Sequence, residues 1–381
     1  MDQVPLFEVP DRFPKSPKPR FSPRSKFHFR IPRPRLCQIA LFFLIFGFVF
    51  YGGIWLGASI AISQILDRES DFADASSPLQ PRSSVDEYYY WSSSRRGNVR
   101  QRLADYQPYV PGERWNRNVI QSWKTPITTS DGFFESWERH NPNFKHLLYN
   151  DTTENERILA ISRERLPEIN RTYSELLSQK IVLRSDFFRY VVIWADGGIW
   201  ADVDTWAQRP FDEWIGLART PENPNESIAS LESRVGMIVG LECVVGEGGQ
   251  WTSMAQYVFA AKQGHPIMLE IIARIIEKGG EIANRLDSVK ELMNREVLGM
   301  TGPGIFTDII AEWIKSQWDA TFNLERDWKN MSNATLFGDI LVLPVWAFGS
   351  GVGYPGTFGW DDPRICAGHR FLGSWVVDGL W

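Results

Sequence analysis

Two aspartates one residue apart, Asp202 and Asp204, follow a glycine doublet, Gly197-Gly198, and a second pair, Asp186 and Arg189, stands upstream. Carboxylates at Asp-x-Asp spacing offer hard oxygen ligands to Mn²⁺ or Mg²⁺, and such an ion holds a diphosphate. The chemistry this suggests is metal-assisted transfer from a nucleotide sugar, the ion neutralising charge that builds on the leaving diphosphate. Side chains alternate along an extended strand. Both aspartates can therefore reach one ion only if the chain kinks there; otherwise one ligates and the other acts through water or on the ribose. A chain this long holds roughly one Asp-x-Asp by chance. What singles this one out is the company it keeps: ionised groups in an apolar helix are costly unless paired or used.

The elements that must position these groups are legible nearby. Leu183, Phe187, Tyr190, Val191 and Trp194 recur at spacings of three and four, and Val192 and Ile193 make the segment apolar almost all round, which predicts a buried helix. Asp186 and Arg189 then share one face. The glycine doublet ends the helix, and Ile199-Trp200-Ala201 reads as a short strand delivering Asp202 and Asp204 at its end. Asn118 to Thr125 reads as a first strand with its following turn, the kind of strand end where open α/β sheets bind nucleotides. Further along, a helix from Asp131 capped by Ser130, a strand at Phe144–Tyr149, a helix at Thr153–Leu166 and a strand at Val235–Cys243 predict a sheet with helices on both faces. Thr205–Gln208 reads as continuing the strand after Asp204, residues 219–234 as a surface loop, Gly246–Gly249 as a turn, and Leu336–Pro344 as one strand. His265-Pro266 opens an amphipathic helix, and Thr301-Gly-Pro-Gly304 opens another whose first turn either contacts substrate or simply caps the helix.

The stretch SDFFRYVVIWADGGIWADVD, residues 185–204, resembles the donor-site block of glycosyltransferase family 32, whose enzymes carry a DXD sugar-binding region. The likeness is strongest to the branch of fungal initiation-specific α-1,6-mannosyltransferases. It extends over about residues 115–375: Gln121, Trp123 and Lys124 match the family's opening block, although Ile120 stands where His is usual. His369-Arg-Phe-Leu-Gly-Ser-Trp375 matches a C-terminal element, with Val376 in place of the usual Lys. The resemblance implies a GT-A-like fold, a Rossmann-like open mixed sheet flanked by helices, and a metal-dependent retaining hexosyltransferase. It implies that Asp186 and Arg189 grip the donor sugar and phosphate, and that Asp202 meets ribose or sugar hydroxyls. It makes Asp202, Asp204 and His369 the metal set, with Trp123 and Trp375 against the donor. The implied substrates are GDP-mannose and an N-glycan core. Other branches mannosylate inositol-phosphoceramide or use UDP-sugars, and a non-catalytic subunit of a mannan-polymerising complex is a further alternative.

Composition frames these expectations. The chain of 381 residues is 43% hydrophobic, enough for one sizeable domain plus extensions. Residues 1–35 hold nine Lys/Arg against three Asp/Glu and read as a disordered tail. Residues 36–66 carry no charge and exceed the roughly 20 residues a spanning helix needs. The flanking Arg30, Arg33 and Arg35 put the N-terminus in the cytosol. The expectation is thus a single-pass type II anchor of the Golgi membrane, a stem over residues 67–112 and a lumenal catalytic domain over 113–381. Five Asn-x-Ser/Thr sites, at Asn150, Asn170, Asn225, Asn330 and Asn333, all follow the anchor. The region after the anchor is net acidic, which argues against nucleic acid as a partner. Cys243 and Cys366 could form a disulfide in an oxidising lumen or stay as buried thiols.

Overall fold

The computed structural model of the protein describes residues 98–124, 133–163, 166–243, 252–285, 294–329, 331–351 and 356–371. The expected tail and anchor, the stem up to residue 97, Ser130, the Gly246–Gly249 turn, Asn330 and Trp375 lie outside the described residues. No described helix is long and apolar enough to cross a membrane.

Helix α1 (Asn98–Tyr106) leads to β1 (Asn118–Ser122), α2 (Phe133–His140), β2 (Lys145–Tyr149), α3 (Asp151–Ser162) and α4 (Pro167–Arg171). Then come α5 (Ile181–Asp196), β3 (Gly198–Ala201), β4 (Thr205–Ala207), α6 (Phe211–Gly216), α7 (Ile228–Arg234) and β5 (Met237–Cys243). The chain continues through β6 (Ser253–Met254), β7 (Val258–Ala261), α8 (Pro266–Arg285), α9 (Asn294–Met300), α10 (Pro303–Gln317) and α11 (Leu324–Trp328). It closes with β8 (Thr335–Phe337), β9 (Ile340–Leu343), α12 (Val345–Phe348) and β10 (Ala367–His369).

The main sheet runs β2-β1-β3-β7-β5-β9-β8, with β6 on β5. Strands β2, β1 and β3 are mutually parallel; β7 is antiparallel to both β3 and β5, which makes β5, and β9 parallel to it, run the same way as β3. The C-terminal ends of β1, β3, β5 and β9 therefore gather along one edge. Strand alternation sorts the core into two layers. Ile120, Trp200, Val239, Phe259 and Val342 face α5, α8 and α10, while Val119, Ile199, Ile238, Ala260 and Leu341 face α6 and the Trp137–Trp214 side. The sheet is thus covered on both faces, as the alternation of elements predicts.

Helix α5 is the central element, its side chains from Phe187 to Ala195 all buried. Its stop is steric as well as conformational. Gly197 has φ +63, and a Cβ there would meet Asn116 Oδ1 at 2.5 Å; Gly198 has φ +116, and a Cβ would meet the Asn118 carbonyl at 2.5 Å. Only glycine lets the helix turn straight into β3 against β1.

Several expectations need correction. Residues 98–112 belong to the domain rather than a stem: Leu103 is buried, and the buried Arg100 guanidinium bonds Glu270 at 2.7 Å and also Glu277, both on α8. A stem reading followed from weak periodicity, which cannot reveal a helix held by distant carboxylates. Residues 219–234 hold α7, which Ser227 caps and Leu231 anchors in the core. Leu336–Pro344 is a hairpin, β8 and β9, turning at Gly338 with φ +63. Helix α3 begins at Asp151, two residues earlier than expected, because Asn150 and Thr153 form a capping box. The Asn150 side-chain oxygen is thereby occupied. Cys243 and Cys366 are buried free thiols, the latter pushed up to about 12 by burial.

Candidate active site

After Ala201 the chain leaves the sheet. Asp202 N–H donates to the Tyr257 carbonyl, and Thr205 N–H returns to the Asp202 carbonyl at 3.0 Å, closing a tight turn through Val203 and Asp204. This is the kink that two carboxylates on one ion require. Thr205–Ala207 does not prolong β3: it forms a separate two-stranded sheet, antiparallel to β10, in which Thr205 pairs His369. That pairing carries His369 back to the aspartates. Its Nε2 lies 3.1 Å from Asp204 Oδ1. Ligand atoms of Asp202, Asp204 and His369 all lie within 4.8 Å of one another.

The three fit a divalent cation. Two carboxylates and an imidazole are a ligand set that a divalent ion accepts. His369 is buried between Tyr257, stacked at 4.1 Å, and Phe371, at 4.0 Å between ring centroids. Tyr257 is fixed in turn by donating its hydroxyl to the Phe348 carbonyl. Phe371 stands at φ +51, a conformation costly for a bulky residue and one that clusters at functional sites.

Beneath the turn lies a buried charge relay. Arg189 Nη1 is 2.6 Å from Asp186 Oδ1, and its Nη2 is 3.2 Å from Asp202 Oδ1. The Trp200 indole N–H donates to that same Asp202 oxygen at 2.7 Å. On the far side, Thr301 Oγ1 donates to Asp186 Oδ2 at 2.9 Å, so the Thr-Gly-Pro-Gly turn before α10 does contact the site. Tyr190 donates to the Thr301 carbonyl at 2.9 Å and so holds that turn in place. Burial pushes Asp186 up to about 6 against the opposing pull of Arg189 and then Thr301. Burial also raises Asp202, with Arg189 and His369 opposing.

The sequence-derived site residues thus divide. Asp186, Arg189, Asp202, Asp204 and His369 come together. Arg189 is buried and engaged by two acids, Asp186 and Asp202. Trp123 follows β1 at the same sheet edge, half-buried, its N–H bonded to the Tyr149 carbonyl. Gln121 is buried beneath the turn, its Nε2 3.4 Å from the Asp202 carbonyl. Trp375 lies outside the described residues. Trp200 and Tyr257 were not singled out in the sequence; a Trp two residues before an Asp and a Tyr in an apolar run carry no local signal for these bonds.

Comparison with known proteins agrees with this geometry. Residues 128–220 match the family model described as glycosyltransferase sugar-binding region containing DXD motif. That span holds Asp186, Arg189, Asp202 and Asp204 but not Thr301 or His369. An initiation-specific alpha-1,6-mannosyltransferase of Candida albicans is 27% identical over 350 residues, 84% of this chain and 86% of the relative. The protein of the same description from Schizosaccharomyces pombe is 32% identical over 253 residues, 64% of this chain and 59% of the relative. A solved structure, PaToxG Glycosyltransferase, overlaps 61% of this chain and 80% of its own at 14% identity and TM-score 0.34, too loose an overlap to bear on the site.

Proposed function

We propose that this chain, a glycosyltransferase similar to those that carry the DXD-containing sugar-binding region, transfers mannose from GDP-mannose to a mannose 6-hydroxyl on an N-glycan core, with retention. The observation that carries this reading is the convergence of Asp202, Asp204 and His369 at the sheet edge above the Arg189–Asp186 pair. Asp202, Asp204 and His369 would hold the divalent ion, Mn²⁺ or Mg²⁺, within a GT-A-like domain. Bound there, the ion supplies positive charge against the departing diphosphate.

The chain's own residues do the rest. Arg189 and Trp200 lock one oxygen of Asp202, leaving the carboxylate oriented before any substrate arrives. Thr301 and Arg189 hold Asp186 as a carboxylate although burial favours its neutral form. Tyr257 and Phe371 fix the His369 ring between them. Such rigid placement is how a site lowers a barrier without reorganising during reaction. The reading includes a type II anchor and a Golgi location, supported by the uncharged run at residues 36–66 and its basic flank, and membership of a mannosyltransferase complex.

The test is a donor screen on the purified full-length protein in detergent. GDP-mannose should be consumed, mannose should appear α-1,6-linked on a mannose-terminated acceptor, and chelation should abolish both. Turnover of a UDP-sugar in place of GDP-mannose would overturn the donor assignment, and full activity after exhaustive chelation would overturn the metal.

A further inference from the structure

A carboxylate outside the metal set stands at the same sheet edge. Glu242 is the penultimate residue of β5, and β5 runs parallel to β3 with only β7 between them. Two inter-strand spacings separate β3 from β5, about 10 Å. Glu242 and Asp202 therefore emerge from the same end of the sheet with room between them. Glu242 is half-buried, with part of its surface open to solvent.

Its bonding is unlike that of the other interior acids. Glu270 is held by Arg100 and Arg274, Asp186 by Arg189 and Thr301, and Glu154 by the hydroxyls of Ser122 and Tyr173. Among the described residues Glu242 receives one long bond, from Ser253 Oγ at 3.3 Å, and that hydroxyl is shared with Cys243 Sγ. Among the described residues no cation lies within ion-pair distance of Glu242. A carboxylate desolvated with so little compensation destabilises the fold, so its presence here points to a ligand that completes its bonding. The charge identifies the ligand class. A bare anion repels a diphosphate and receives hydroxyl donors, so it suits the neutral, hydroxyl-bearing partner of the reaction and not the nucleotide.

We propose that Glu242 is a catalytic residue on the acceptor side, its carboxylate accepting a hydrogen bond from the attacking hydroxyl of the acceptor sugar. The inference rests on the transfer reaction proposed above. In that reaction the acceptor oxygen bonds to the anomeric carbon as the bond from that carbon to the diphosphate oxygen breaks. The acceptor proton passes to the departing diphosphate, and Glu242 aims the hydroxyl while keeping its own charge. Water attacking the same carbon needs no such aim. Donor hydrolysis is therefore independent of Glu242, whereas transfer is not.

The experiment measures mannose transfer and GDP-mannose hydrolysis in parallel for the full-length protein, Glu242→Gln and Glu242→Ala, with thermal unfolding as a control. The expected result is a transfer loss of about 100-fold for Glu242→Ala, about 10-fold for Glu242→Gln, which keeps one acceptor oxygen, and hydrolysis within about threefold of the parent protein in both. Unchanged transfer overturns the proposal. So does an equal loss of hydrolysis and transfer in a folded variant, which would mark Glu242 as a donor-side or nucleophilic group. If Glu242→Ala fails to fold, the isosteric Glu242→Gln decides alone: transfer as efficient as in the parent protein overturns the assignment. A parent protein that neither hydrolyses nor transfers from GDP-mannose refutes the transferase reading itself, and this one with it, by a different signature.

Discussion

Thr301→Val removes one hydroxyl and changes almost nothing else in shape. The lost bond is the buried one from Thr301 Oγ1 to Asp186 Oδ2, 2.9 Å long. A hydrogen bond to a charged group contributes about 1.5–3 kcal/mol, and it favours the ionised form of Asp186. At about 1.4 kcal/mol per pH unit, its loss should lift the Asp186 midpoint from about 6 by roughly one to two units. At pH 7 the ionised fraction then falls from about nine-tenths to between about one-half and one-tenth. The neutral acid no longer holds Arg189, and Arg189 no longer braces Asp202. Mannose transfer should drop about two- to tenfold at pH 7 and recover above pH 9, with the acid limb of kcat/KM displaced upward. Stability carries the opposite sign. In the folded state Asp186 holds its proton to higher pH than in the unfolded chain, so stability falls as pH rises from about 4 to about 6 and is level above; the variant should extend that fall to about pH 7–8. A Thr301→Val protein whose pH profile overlies that of the parent would refute the role given to this bond.

Other perturbations follow from the same geometry. Asp204→Ala should cut transfer by about 10³-fold, since a bound ion contributes several kcal/mol to the charged transition state, while the melting temperature is unchanged; normal turnover in the folded variant would refute the ligand assignment. His369→Ala should raise the Mn²⁺ concentration needed for half-maximal activity by about 10–100-fold, read from a metal titration. Arg100→Met leaves the buried Glu270 with Arg274 alone and should cost about 1.5–3 kcal/mol by denaturant unfolding, with KM unaltered; a negligible loss would return residues 98–106 to the stem.

What the sequence alone determined is local. The helix at Ile181–Asp196 follows from apolar spacing, its stop from a glycine doublet, and the Asp186–Arg189 pairing from a three-residue offset on one helix. Each is a relation between near neighbours, for which backbone geometry fixes distance. The aspartate pair was visible, but its use was not: whether Asp202 and Asp204 converge depended on a turn that Tyr257 and the β4–β10 pairing impose from elsewhere. His369 could be proposed only through a family likeness, since nothing in its neighbourhood shows that an antiparallel pairing returns it to Asp204. Trp200 and Glu242 stood inside segments whose patterns read as strands, and the turn at Thr301 read equally as a substrate contact or a helix cap. Helix Asn98–Tyr106 was missed because its anchor is a pair of glutamates some 170 residues away. Tertiary structure decided these placements, since they depend on side chains that meet across the sheet edge, where separation along the chain carries no information about separation in space.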